Sequence, residues 1–171
     1  MKKVILTTLF FVAVITVFYF SLGFFHLEKE MSKKSHLQNT KEMVTIKVYF
    51  SNSKKDPQTL ECDKVYPVER KVPKTQTLAR MALEELLKGP TQREKERGYF
   101  TNINPGVKIQ SLMIKDGVVK VDFNKRLEYQ VGGSCRVRAI RAQIIATLRQ
   151  FPTVKKVIIS VNGKTEGILQ P

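Results

Sequence analysis

Histidine is almost missing from this sequence: His26 and His36 are the only two, both in one short polar stretch, far from any cysteine or paired carboxylates. Residues 44–171 therefore lack the commonest general base, and a histidine metal site is disfavoured. Catalytic signatures are missing as well. The chain has no G-x-S-x-G elbow, H-E-x-x-H helix, Walker loop or cluster of histidines and carboxylates, so it reads as a non-enzyme and implies no cofactor. Glu84 and Glu85 stand side by side in a helical pattern, about 100° apart around its axis, and so do not form an acid/base pair on one face. Asp122 and Glu128 are brought together by nothing in the sequence.

Acidic residues are scarce, 15 against 30 Lys and Arg, for a net charge of +15 and a pI near 9.9. That excess points toward polyanions such as acidic wall polymers, anionic lipid head groups or nucleic acid. No long Lys/Arg block concentrates it, so a merely solubilising basic surface stays open as a reading. The arginine-rich segment after Ser134 carries no interleaved exposed aromatics, which disfavours single-stranded nucleic acid.

Only two cysteines occur, Cys62 and Cys135. Neither closely follows the N-terminal apolar run, which argues against acylation as a lipoprotein. In an oxidising compartment the pair suggests a disulfide closing a loop of about 70 residues, worth roughly 4 kcal/mol by loop-closure entropy. Two alternatives remain: unrelated small buried residues, or a reactive thiol at Cys135 activated by Arg136 and Arg138.

What the sequence does have is a charge-free run over residues 4–25, VILTTLFFVAVITVFYFSLGFF. Its length matches the roughly 20 residues needed to cross a bilayer core. We read residues 1–3 as a basic cytoplasmic end, 4–25 as a transmembrane anchor, 26–43 as a polar tether and 44–171 as one exported domain, placing the protein at the cell membrane as a single-pass, extracytoplasmic species. Ser21-Leu22-Gly23 offers the alternative of signal-peptide cleavage and secretion. A buried core helix is a third reading.

The exported part alternates between strand and helix patterns. Val44, Ile46, Val48 and Phe50 have the period of a half-buried strand, and the piece around Pro67 reads as an edge strand or extended loop. A helix follows, with Leu78, Ala82 and Leu86 on its core face, a cap at Thr75 or Thr77 and a stop at Gly89-Pro90. Residues 91–97 predict an exposed helical turn closed by Gly98. Asp116-Gly117 predicts a tight hairpin turn, with a bulge near Ser111 and with Val119, Val121 and Phe123 facing inward. A second helix carries Val137, Ile140, Ile144, Leu148 and Phe151 toward the core. The apolar run Val157-Ile158-Ile159 predicts a central strand covered on both sides, and residues 163–171 a surface tail. The sum is an α+β domain with two helices on one face of a small mixed sheet.

Arg136 and Arg138 oppose the dipole of that second helix in its first turn. With Arg141, Arg149 and the Gly132-Gly133-Ser134 loop they form a candidate anion or partner surface. The alternative is a solvated face held by local acids.

Several pieces together resemble one family. Val48-Tyr49-Phe50, Leu86-Leu87-Lys88-Gly89-Pro90, Asn104-Pro105-Gly106, Lys115-Asp116-Gly117-Val118, Val121-Asp122-Phe123, Thr147-Leu148 with Phe151-Pro152 and Val154, and Val161-Asn162-Gly163 resemble the GerMN domain of spore-germination proteins in order and spacing. The likeness runs from Val44 to about Gly163. It implies an extracytoplasmic module akin to ring-building domains, with no catalytic residues to carry over. Here one domain copy follows an apolar anchor, where the germination protein has two copies and a lipid-attachment cysteine. The expected function is a membrane-anchored, non-enzymatic assembly module of the cell envelope, with a protein partner or self-assembly. The alternative is a binding module for an anionic ligand such as wall polymer or extracellular DNA.

Overall fold

Ile46, Val48 and Phe50 alternate with polar residues and are buried on one face of β1 (Met43–Asn52). In the computed structural model, which describes residues 42–58 and 60–170, this strand is the middle of a first sheet ordered β2-β1-β3. Residues 1–25 and almost all of the 26–43 stretch, both histidines included, lie outside the described residues. No helix among the described residues is long and apolar enough to cross a membrane.

β2 (Tyr66–Pro73) runs antiparallel to β1, with Met43 opposite Pro73 and Phe50 opposite Tyr66. It is an edge strand, as Pro67 requires. β3 is only Tyr99–Phe100 and pairs with Ser51 and Asn52. Between β2 and β3 come helices α1 (Leu78–Leu87) and α2 (Gln92–Glu96). α1 buries Ala79, Ala82, Leu83 and Leu86, and Gly89 takes the positive φ of 76° that ends it. Thr77 holds the cap position but makes no side-chain cap; instead its N–H donates to Thr75 Oγ1 at 3.2 Å. Gly98, at φ 90°, is required twice over, because a Cβ there would stand 2.8 Å from Lys54 Cγ and 2.9 Å from Asn52 Oδ1.

The second sheet is ordered β4-β5-β6. β4 (Ile109–Lys115) and β5 (Val118–Phe123) form the expected hairpin, with Asp116 at φ 50° and Gly117 at φ 78°, and the register slips between Ile109 and Ser111. Val119, Val121 and Phe123 are fully buried. After a 3₁₀ turn at Lys125–Leu127, α3 (Ser134–Arg149) crosses over to β6 (Lys156–Val161), which runs parallel to β5. α3 packs on β1, α1 and β6, so a single core holds Phe50, Leu83, Leu86, Phe123, Ile140, Ile144 and Leu148. Residues 43–171 form one compact unit containing that whole core and both cysteines.

Four expectations need correction. The strands make two small sheets, because β3 pairs only two residues with β1 before the chain leaves to build the hairpin elsewhere. β6 is an edge strand and β5 the central one; Ile159 and Val161 face the core, whereas Ile158 lies on the sheet's other side. The tail is no surface appendage, since Ile168 and Leu169 are buried in the core. Within α2, Glu94 is buried where an exposed turn was expected.

Candidate functional site

α3 begins at an exposed Gly132-Gly133-Ser134 corner, with Gly133 as a cap that offers no side chain. Of its arginines, Arg138, Arg141 and Arg149 lie within about 80° around the axis, and Arg136 projects from the other flank of the apolar stripe. Arg136 donates to Asn104 Oδ1 at 2.8 Å and to the Gln130 carbonyl at 3.1 Å. Arg138 pairs with Asp63 at 2.8 Å, with both side chains exposed. Arg141 donates to the Ile168 carbonyl at 3.0 Å and so holds the buried tail. Arg149 makes no hydrogen bond or ion pair among the described residues. Three of the four candidate anion-binding arginines are thus engaged within the domain, Arg138 by the acid Asp63 and Arg136 and Arg141 by neutral oxygens.

Cys62 and Cys135 are joined in a disulfide, Cα to Cα 5.0 Å and 73 residues apart in sequence. It pins the segment between β1 and β2 to the first turn of α3, one residue from the Asp63–Arg138 pair. The reactive-thiol reading falls, as no cysteine is free.

A polar cluster that the sequence did not reveal lies on the inner side of β2. Arg70 donates to both Glu94 carboxylate oxygens, Nη2 reaching Oε2 at 2.6 Å, and its Nε stands 4.0 Å from Glu85. Lys88 pairs with Glu85 in turn. Glu94 also accepts the Thr91 N–H at 2.8 Å. Burial pushes its carboxyl up, but the Arg70 hydrogen bonds, the Thr91 N–H and the Arg70 charge together hold it below its ordinary value. These contacts fasten the turn after α1 to the sheet. They engage every charge in the cluster and leave it no open chemistry.

The sheet edges are treated unequally. Lys47 and Tyr49 direct their backbone groups away from β2, where a neighbouring strand would otherwise pair. α3 takes that place: Lys47 N–H donates to Gln150 Oε1 at 2.7 Å, Gln150 Nε2 donates back to the Lys47 carbonyl, and Tyr49 N–H donates to Thr147 Oγ1 at 3.2 Å. The same phase puts the Pro67 nitrogen, opposite Tyr49, on the outer edge of β2.

β4 has less cover. Arg80 Nη2 reaches the Ile109 carbonyl at 3.3 Å, but beyond it no group among the described residues hydrogen-bonds to the edge. Lys115 and Val118 flank the two-residue turn and so form a hydrogen-bonded pair, which turns the backbone groups of Ile114 and Leu112 outward. Ile114 is 47% exposed, and beside it an open apolar groove runs between β4 and the start of α1, lined by Leu78, Leu112, Phe151 and Val154.

Among known proteins, residues 47–167 match the Germane family, described as sporulation and spore germination. The spore germination protein GerM of Bacillus subtilis (strain 168) is 36% identical over 88 residues, which are 50% of this chain and 23% of that protein. The chain thus spans about a quarter of the curated relative it matches. Among solved structures, the tandem GerMN domains of the sporulation protein GerM from Bacillus subtilis align over 74% of this chain and 41% of theirs, with a TM-score of 0.57 and 28% identity. The first GerMN domain of the same protein aligns over 71% of this chain and 85% of its own, at 22% identity and a TM-score of 0.52, a likeness of fold. With the family matched over most of its length and its two-sheet α+β fold shared with solved GerMN domains, the chain belongs to the Germane family of sporulation and spore-germination domains.

Proposed function

We propose that this protein is a membrane-anchored, extracytoplasmic and non-enzymatic assembly module of the cell envelope, held by residues 4–25 and working through its GerMN domain. The observation that carries the reading is the β4 edge. It offers backbone at Leu112 and Ile114 that no described residue pairs, next to an apolar groove, whereas the corresponding edge of β1 is closed by α3. An open strand edge is a template for pairing with another chain, and a second copy or an envelope partner adding a strand there would cover Ile114.

Light scattering on residues 43–171, purified under oxidising conditions, tests it across protein concentration and salt. Oligomers that grow with concentration, survive high salt and vanish in Ile114→Lys support assembly through this edge. A monomer under every condition removes self-assembly and directs the search to a different protein.

A further inference from the structure

The second sheet buries one face in the core, and among the described residues nothing covers the other. Pairing register fixes what that bare face presents: one row across the strands is Lys115, Val118 and Lys156, and the next is Met113, Lys120 and Ile158. The three lysines are exposed, Met113 is 66% exposed, and Val118 and Ile158 are half-buried. They line an open concavity of about 690 Å³ whose one acid is Asp116 in the turn. A carboxylate returns only one row further on, where Asp122 accepts from Ser160 Oγ at 2.6 Å and Gly163 N–H at 2.8 Å. Unlike Arg136, Arg138 and Arg141, none of these lysines has an ion-pair or hydrogen-bond partner among the described residues.

Apolar side chains alternating with free ammonium groups constrain the occupant. A second copy laid on the same face would set lysine against lysine. Residues 26–43 of this chain carry four lysines against three glutamates and supply no complementary charge. A phospholipid surface answers both features: ammonium groups sit at the level of the phosphates while Met113 and Ile158 enter the headgroup boundary. The sequence points the same way, since a largely polar stretch of 18 residues joins the domain to a charge-free run of bilayer-crossing length.

We propose that the outer face of the β4-β5-β6 sheet docks on the head groups of an anionic bilayer. Attachment through residues 4–25 would hold the domain at high local concentration beside such a surface, so a weak affinity is enough. The inference rests on the anchor reading only for the source of the bilayer. The assay below omits the anchor and reads vesicle binding rather than pairing at the β4 edge, so its failure leaves the assembly reading standing.

Sedimentation of residues 43–171 with vesicles provides the test. Phosphatidylcholine vesicles should bind nothing, and the same vesicles with phosphatidylglycerol should bind the protein in a salt-sensitive way. Replacing Lys115, Lys120 and Lys156 by Gln should weaken binding about fivefold per lysine, roughly a hundredfold in all, whereas the triple Lys→Arg variant should bind normally. Met113→Ser should weaken binding without changing its salt dependence, and Arg149→Gln should leave it unchanged. Absence of binding at low salt overturns the proposal and leaves an acidic protein as the occupant. Equal binding to neutral vesicles, native binding by a folded Lys→Gln variant, or a dimer abolished by that variant would each overturn it too.

Discussion

Gln150 answers both backbone groups of Lys47, 103 residues away in sequence, so that the side chain of the residue capping α3 stands where a neighbouring strand would lie. Thr147 does the same for the Tyr49 N–H. The open side of β1 is sealed from within the molecule.

Removing that seal should be visible in two ways. Gln150→Ala should lower stability by about 1–2 kcal/mol, the usual worth of two hydrogen bonds, in urea unfolding. Light scattering should show added concentration-dependent association, because the bared strand offers a second pairing edge. A stable variant with unchanged mass would show that the edge is sealed by packing alone.

Breaking the Cys62–Cys135 bond frees a long loop in the unfolded chain. Cys62→Ser combined with Cys135→Ser, or reduction of the native protein, should cost about 4 kcal/mol, read as a lower urea midpoint. A midpoint indifferent to reductant would contradict the role given to the disulfide.

Acid should weaken the domain through Glu94. Its carboxyl is held below the ordinary value in the folded protein, so its contribution is fully present above the unfolded value of about 4.3 and is lost as pH falls through the folded value. Glu94→Gln should flatten this part of the stability profile. Glu94→Ala should cost about 3 kcal/mol even at neutral pH, because it strands Arg70, whose side chain is only 14% exposed. Parallel acid-unfolding curves for native and Glu94→Gln proteins would exclude the assignment.

The C-terminal residues should be structural. Ile168→Ala is expected to cost about 2–4 kcal/mol as a core truncation, and Arg141→Gln less, through loss of the bond to the Ile168 carbonyl. Thermal melts of the two variants distinguish this from a dispensable tail, whose truncation would leave the melting temperature unchanged.

Legibility in the sequence followed the range of the signal. The hairpin at Asp116-Gly117, the stop at Gly89 and the core stripe of α3 are written in adjacent residues, and each formed where expected. The Cys62–Cys135 pairing was within reach because only one partner existed. The division into two sheets was hidden, since it depends on a two-residue β3 whose pairing with β1 is purely tertiary. Val157-Ile158-Ile159 read as doubly covered because an apolar residue on a bare face is indistinguishable in sequence from one in a core. Glu94 lay in a segment polar enough to pass for surface, and its partner Arg70 is 24 residues away. Nothing local in the sequence marked Asn104, Asp63 and Ile168 as the partners of Arg136, Arg138 and Arg141.

α3 touches both sheets, which has a bearing on the order of events during synthesis. β1 and β2 are made first, yet the side chains that close their edge and the helix that roofs their core come about a hundred residues later. Parallel pairing of β5 with β6 also has to wait for the same helix. Acquisition of the native state should therefore be governed by distant contacts and be slow for a chain of this length, so that the growing protein stays unfolded until α3 has emerged.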